Sequence, residues 1–161
     1  MRSLMLVAAM LVSFGVHAQS DPLIGTWKQN VPKSKYDPAY LAPKKEGRTT
    51  KIEAVPGGIK LTMEGVDAQG RVGRVEYTAK FDGKDYPYHA TLDGRPNPNQ
   101  DTVSWRKIDD YTYESTAKIK GKVLTTTHYV ISPDGKTRTT TITGKNADGV
   151  TVNNTLVYDR Q

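Results

Sequence analysis

The sequence predicts an all-β fold: a single antiparallel, up-and-down β-barrel of about eight to ten strands. Turn signals interrupt runs rich in Thr, Val, Tyr and Ile roughly every 8–12 residues, which is the spacing of a meander. Within those runs apolar and polar residues alternate with period two, and no segment sustains a helical repeat. A flat sheet of this many strands leaves two long edges open to another chain, and closure removes both. A two-layer sandwich usually needs long crossovers, whereas almost all connections here are short hairpins.

The first segment is not part of that domain. Arg2 precedes an apolar run from Leu4 to Val16, and Val16-His17-Ala18 leads into Gln19, the pattern of a secretory signal peptide occupying residues 1–18 and cleaved near Ala18. The run is too short to span a bilayer, and no later stretch is apolar enough, so no membrane span is expected. Residues 19–161 then form one domain, periplasmic or secreted, and expected to be a monomer. The chain has no cysteine, so stability after export rests on packing and strand pairing. Loss of Arg2 with the leader leaves the domain one charge below the whole-chain value of +6. In an exported protein that balance suits anionic small molecules or surfaces better than nucleic acid, and no nucleic-acid partner is expected.

The strands are expected, in order, at about 23–30, 47–55, 58–66, 71–81, 84–91, 101–108, 111–119, 122–132, 136–144 and 149–160. Pro56-Gly57-Gly58, Asp67-Ala68-Gln69-Gly70, Asp82-Gly83, Asp109-Asp110, Lys120-Gly121, Pro133-Asp134-Gly135 and Asn146-Ala147-Asp148-Gly149 separate them, each offering residues that tolerate a tight turn. The two longer connections, 31–46 and 92–100, carry several prolines. Alternation turns Ile59, Leu61 and Met63 inward, then Val75, Tyr77, Ala79 and Phe81, Val103 and Trp105, Tyr111, Tyr113, Ser115 and Ala117, and Val150, Val152, Asn154, Leu156 and Tyr158. The 122–132 strand is ambiguous, since Leu124, Thr126, His128 and Val130 compete with Tyr129 and Ile131. Alternate loops of an up-and-down barrel share an end, so the two long connections and the tips at 67–70 and 146–149 mark an open mouth. The tighter turns mark a closed floor.

Leu23-Ile24-Gly25-Thr26-Trp27 resembles the Gly-x-Trp signature on the first strand of the lipocalin and fatty-acid-binding-protein superfamily, the calycins. The chain is similar to small secreted bacterial lipocalin-like proteins over most of residues 23–160. The resemblance implies that Trp27 lies at the closed end, with an arginine of the last strand, here Arg160, packed across it as a structural cation–π contact. It implies a small apolar or amphipathic ligand, an anionic one included. The Arg-x-Tyr pair with which fatty-acid-binding proteins hold a carboxylate is absent at the matching place, where Leu156 precedes Tyr158, and 31–46 offers no helical lid.

Facing parity makes Tyr77, Trp105, Tyr113, His128 and Asn154 the candidate ligand-binding residues: an apolar pocket with a few polar handles. Equally, the aromatics can fill the barrel as core. Lys33, Lys35, Lys44 and Lys45, with Tyr36 and Tyr40, are the candidate entrance, basic side chains that draw in an anionic head group while tyrosines cover it. No nucleophile elbow, metalloprotease helix or phosphate loop appears, so no enzyme activity, metal or cofactor is expected. The alternative to a carrier is an envelope interaction or inhibitor module with a filled barrel. Interior volume separates the two.

Overall fold

The computed structural model describes residues 21–43 and 46–161. The expected leader, residues 1–18, and two of the expected entrance residues, Lys44 and Lys45, lie outside them. The described chain is all-β: β1 (Gly25–Lys35), β2 (Thr49–Val55), β3 (Gly58–Val66), β4 (Val72–Lys80), β5 (Tyr86–Pro87), β6 (His89–Leu92), β7 (Arg95–Pro96), β8 (Thr102–Lys107), β9 (Thr112–Ile119), β10 (Lys122–Ile131), β11 (Thr137–Lys145) and β12 (Thr151–Arg160), with one helical turn at Ala39–Leu41. All twelve strands belong to one antiparallel sheet curled as a half-barrel, in the order β5-β8-β9-β10-β11-β12-β1-β2-β3-β4-β6-β7. The last strand pairs with the first, Trp27 opposite Arg160.

Three details differ from the sequence reading. The first strand runs on to Lys35 through an irregularity between Asn30 and Lys35, so Lys33 and Lys35 belong to a strand and not to a loop. The strand expected at 84–91 is split: Tyr86 and Pro87 pair with β8, while His89–Leu92 pair with β4. Pro87 has no N–H to continue a ladder, which accounts for the break. β5, at one end of the sheet, and β6, next to the other end, are thus consecutive in the chain, separated by Tyr88. Asp82, just beyond β4, and Arg106 on β8 form an isolated bridge, and Gly83 N–H donates to Trp105 O at 3.0 Å. The connection expected at 92–100 contains a hairpin at Asp93 and Gly94, whose φ values of 49° and 75° are those a two-residue turn between twisted strands requires.

The floor is a packed core. Trp27 is fully buried and donates its indole N–H to Leu23 O at 2.9 Å. Arg160 Cζ lies 4.2 Å from the centre of the Trp27 ring. Its three nitrogens donate to Ile24 O, Pro22 O and Gly135 O at 2.5–2.6 Å, joining the entry turn and the 133–135 hairpin to the last strand. This explains the glycine of the first-strand motif: Gly25 has φ of 144°, and a Cβ there would overlap Arg160 Nη1. In the same core Phe81 packs against Trp105 and Tyr113, with ring centres 6.4 and 5.6 Å apart.

Tyr113 is tied to the same floor by donating its hydroxyl to Asp21 Oδ1, and Lys107 reaches Asp21 at 3.1 Å. Burial alone raises the Asp21 pKa, but the hydrogen bonds from Tyr113, Leu23 N–H and Lys107 outweigh it and hold the carboxyl below its ordinary value. Stability from a depressed carboxylate is present above its unfolded pKa of about 4 and is lost as pH falls through the folded value. Asp21→Asn is therefore expected to flatten the acid limb of stability below about pH 4. Urea midpoints measured across that range check this, and an unaltered acid slope counts against it.

Candidate ligand site

Above the aromatic floor the half-barrel is hollow. An outer cavity of about 370 Å³ opens among the tips at 65–67 and 146–148 and the 97–100 connection. An inner one of about 180 Å³ reaches Tyr77, Tyr129, Arg138 and Tyr158. The two share Arg48, Met63, Val75, Tyr88, Gln100, Ala117 and Thr125, so they form one space running from rim to interior. Trp105 and Tyr129 stack beneath it at 4.6 Å.

The strands supply this lining through their alternation. Leu61 on β3, Tyr77 on β4, Val103 on β8 and Tyr158 on β12 are buried and reach the inner cavity. On β10 the inward residues are Thr127, Tyr129 and Ile131. Leu124 is passed over in the pairing with β9, where Val123 faces Lys118 and Thr125 faces Ala117. Such a bulge resets the alternation of the strand. Gly144 sits where that bulge comes closest, since a Cβ there would overlap Leu124 O.

Among the predicted ligand residues, Tyr77 lines the inner cavity. Trp105 lies one layer lower and donates its indole N–H to the Tyr77 hydroxyl at 3.2 Å. Tyr113 belongs to the floor, and Tyr111, expected to turn inward beside it, lies before β9 and is exposed. Asn154 is buried but uses its side-chain oxygen to accept from Asp37 N–H at 2.9 Å, anchoring the chain after β1. His128 is a correction: the bulge turns it to the outer face, half exposed, with Nε2 3.5 Å from Glu114. It lines neither cavity.

The entrance differs similarly. Lys33, Lys35 and Tyr40 are exposed, while Tyr36 is partly buried and accepts from Gln29 Nε2 at 2.6 Å. None of the four lines either cavity; the basic residues that do are Arg48, Arg71 and Arg74 at the mouth and Arg138 inside. Arg71 pairs with Asp67 at 2.7 Å, and Arg74 with Glu64 at 2.6 Å.

The group that sequence reasoning missed is Arg138, the inward-facing residue of β11, only 2% exposed. Its guanidinium carbon lies 4.2 Å from the Tyr158 ring centre, 5.3 Å from Trp27 and 5.8 Å from Tyr129. Nε and Nη1 find no acceptor. Burial lowers its pKa from the ordinary value, yet arginine remains charged at any physiological pH. Burial also raises the tyrosines: Tyr88 to about 12, Tyr77 well above its ordinary value, and Tyr129 in the same direction. All three hydroxyls are therefore neutral. The inner cavity contains two positive residues, Arg48 and Arg138, and no carboxylate among its described lining. The signal for Arg138 was its parity with Ile142, which also reaches this cavity.

Among the described residues no three His, Cys, Asp or Glu side chains gather as a metal site, and no helix is long and apolar enough to cross a membrane. No protein-family model and no curated protein matches the chain.

Proposed function

We propose that this chain is an exported, calycin-like barrel that carries a small apolar or amphipathic molecule. The observation that carries the reading is the continuous space between the rim and Arg138, of a size suited to a small ligand and lined by apolar, aromatic and a few polar groups. A barrel serving only as a rigid interaction module has no need of a hollow upper half above an already packed floor. Support for closure comes from the pairing of β12 with β1, from Tyr88, which alone separates β5 from β6, and from the Asp82–Arg106 bridge between the chain after β4 and β8. The leader pattern of residues 1–18 supports export to the periplasm or beyond.

The test is uptake of a neutral apolar fluorophore, N-phenyl-1-naphthylamine, by the mature chain, combined with native mass spectrometry of protein purified from its own host. The reading expects saturable uptake, a co-purified small molecule, and loss of uptake in Ala117→Phe, which fills the space common to both cavities. A bare polypeptide that takes up no probe overturns it.

A further inference from the structure

Arg138 makes the inner cavity chemically specific. The buried side-chain polar atoms without a partner among the described residues are Arg138 Nε, Arg138 Nη1, Thr50 Oγ1 and Thr140 Oγ1. All of them belong to residues lining this one cavity of about 180 Å³. Orphan donors scattered through a fold would have many explanations; orphan donors converging on one cavity point to what fills it. Water can complete the hydroxyls but leaves the guanidinium charge unbalanced, and a buried uncompensated charge is costly.

We propose that the molecule taken up is a singly charged carboxylic acid with an apolar remainder, its carboxylate seated on Arg138 and hydrogen-bonded by Thr50 and Thr140. This rests on the carrier reading above and names the class of its ligand. Arg138 supplies the one fully buried positive charge, and Arg48 stands half-buried toward the mouth, so a monoanion is balanced at the inner seat, whereas a phosphate dianion would bring a second charge there with only the outer Arg48 to answer it. The tail lies toward the mouth along Met63, Val75 and Ala117, which belong to both cavities. Arg48, also shared, stands where an anion would pass on its way inward.

The experiment titrates the mature chain at pH 8 with decanoate, 1-decanol and decyl phosphate, by calorimetry or by displacement of N-phenyl-1-naphthylamine. Decanoate is expected to bind roughly ten- to a hundredfold more tightly than 1-decanol, the range for a hydrogen-bonded charged group. It is also expected to exceed decyl phosphate. Arg138→Gln should bring decanoate down to the level of 1-decanol and leave 1-decanol unchanged. Thr140→Val, which keeps the charge, should weaken decanoate alone, and the comparison of probes on the unaltered chain needs no variant to fold. Equal affinity for decanoate and 1-decanol, tighter decyl phosphate, or a decanoate preference that survives Arg138→Gln overturns the assignment while the carrier reading stands. Binding of none of the probes overturns both.

Discussion

Trp27→Ala is expected to remove about 3–5 kcal/mol of stability, the range for truncating a large buried aromatic. That is much of the 5–15 kcal/mol typical of a whole domain, so the variant should be near or beyond its unfolding midpoint at growth temperature. The indole is fully buried between the entry turn and the last strand. Leu23 O loses its hydrogen-bond donor, and the Arg160 and Arg138 guanidinium groups lose a ring at 4.2 and 5.3 Å. Each such cation–π contact contributes about 0.5–2 kcal/mol, and these losses are not additive with the cavity cost. Trp27→Phe keeps a ring and loses the N–H, so it should be distinctly milder. Urea unfolding of both variants measures the difference. A loss below about 1 kcal/mol for Trp27→Ala would mean that the floor is held by its backbone pairing, and that Trp27 merely occupies it.

The same floor shows what the sequence made legible. Gly25, Trp27 and Arg160 could be brought together because a sheet whose first and last strands pair places their ends side by side, and the alternation carries Arg160 to the face of Tyr158. Turn residues located most hairpins, since Gly57, Gly70, Gly121, Gly135 and Gly149 take the positive φ that such turns need. What failed were interruptions of the period-two rule. Leu124, Thr126, His128 and Val130 form as convincing a stripe as their neighbours, and nothing in their composition announces that Leu124 bulges out of register. Pro87 was visible, but which of two flanking strands each half of its segment would join depends on the curvature of the whole sheet. Arg138 escaped for a different reason: alternation argues from apolar residues, and a lone arginine in a threonine-rich strand looks like the wet face. Only the two guanidinium nitrogens left without an acceptor once buried, Nε and Nη1, distinguish it, and that is a property of the assembled interior.

Arg138→Met is expected to make the ligand-free protein more stable, by about 1–4 kcal/mol, against the usual sign for a buried substitution. Desolvating a guanidinium costs several kcal/mol when no anion faces it. The rings of Tyr158, Trp27 and Tyr129 offset only part of that. Methionine is unbranched, adapts to an irregular site and packs favourably on aromatic rings, so the contacts with Trp27 and Tyr158 are largely kept while the charge is removed. Thr50 and Thr140 stay as they are, and the gain isolates the guanidinium. Because arginine does not titrate in the working range, the gain should hold equally at pH 5 and pH 8. Urea midpoints of the ligand-free proteins, with the slope m unchanged, measure it. Adding decanoate should then reverse the order, since only the unaltered chain gains stability from an anion it binds in the folded state alone. A ligand-free Arg138→Met protein less stable than its parent would instead make the guanidinium a structural strut among three rings, and the empty donors around it would need another explanation.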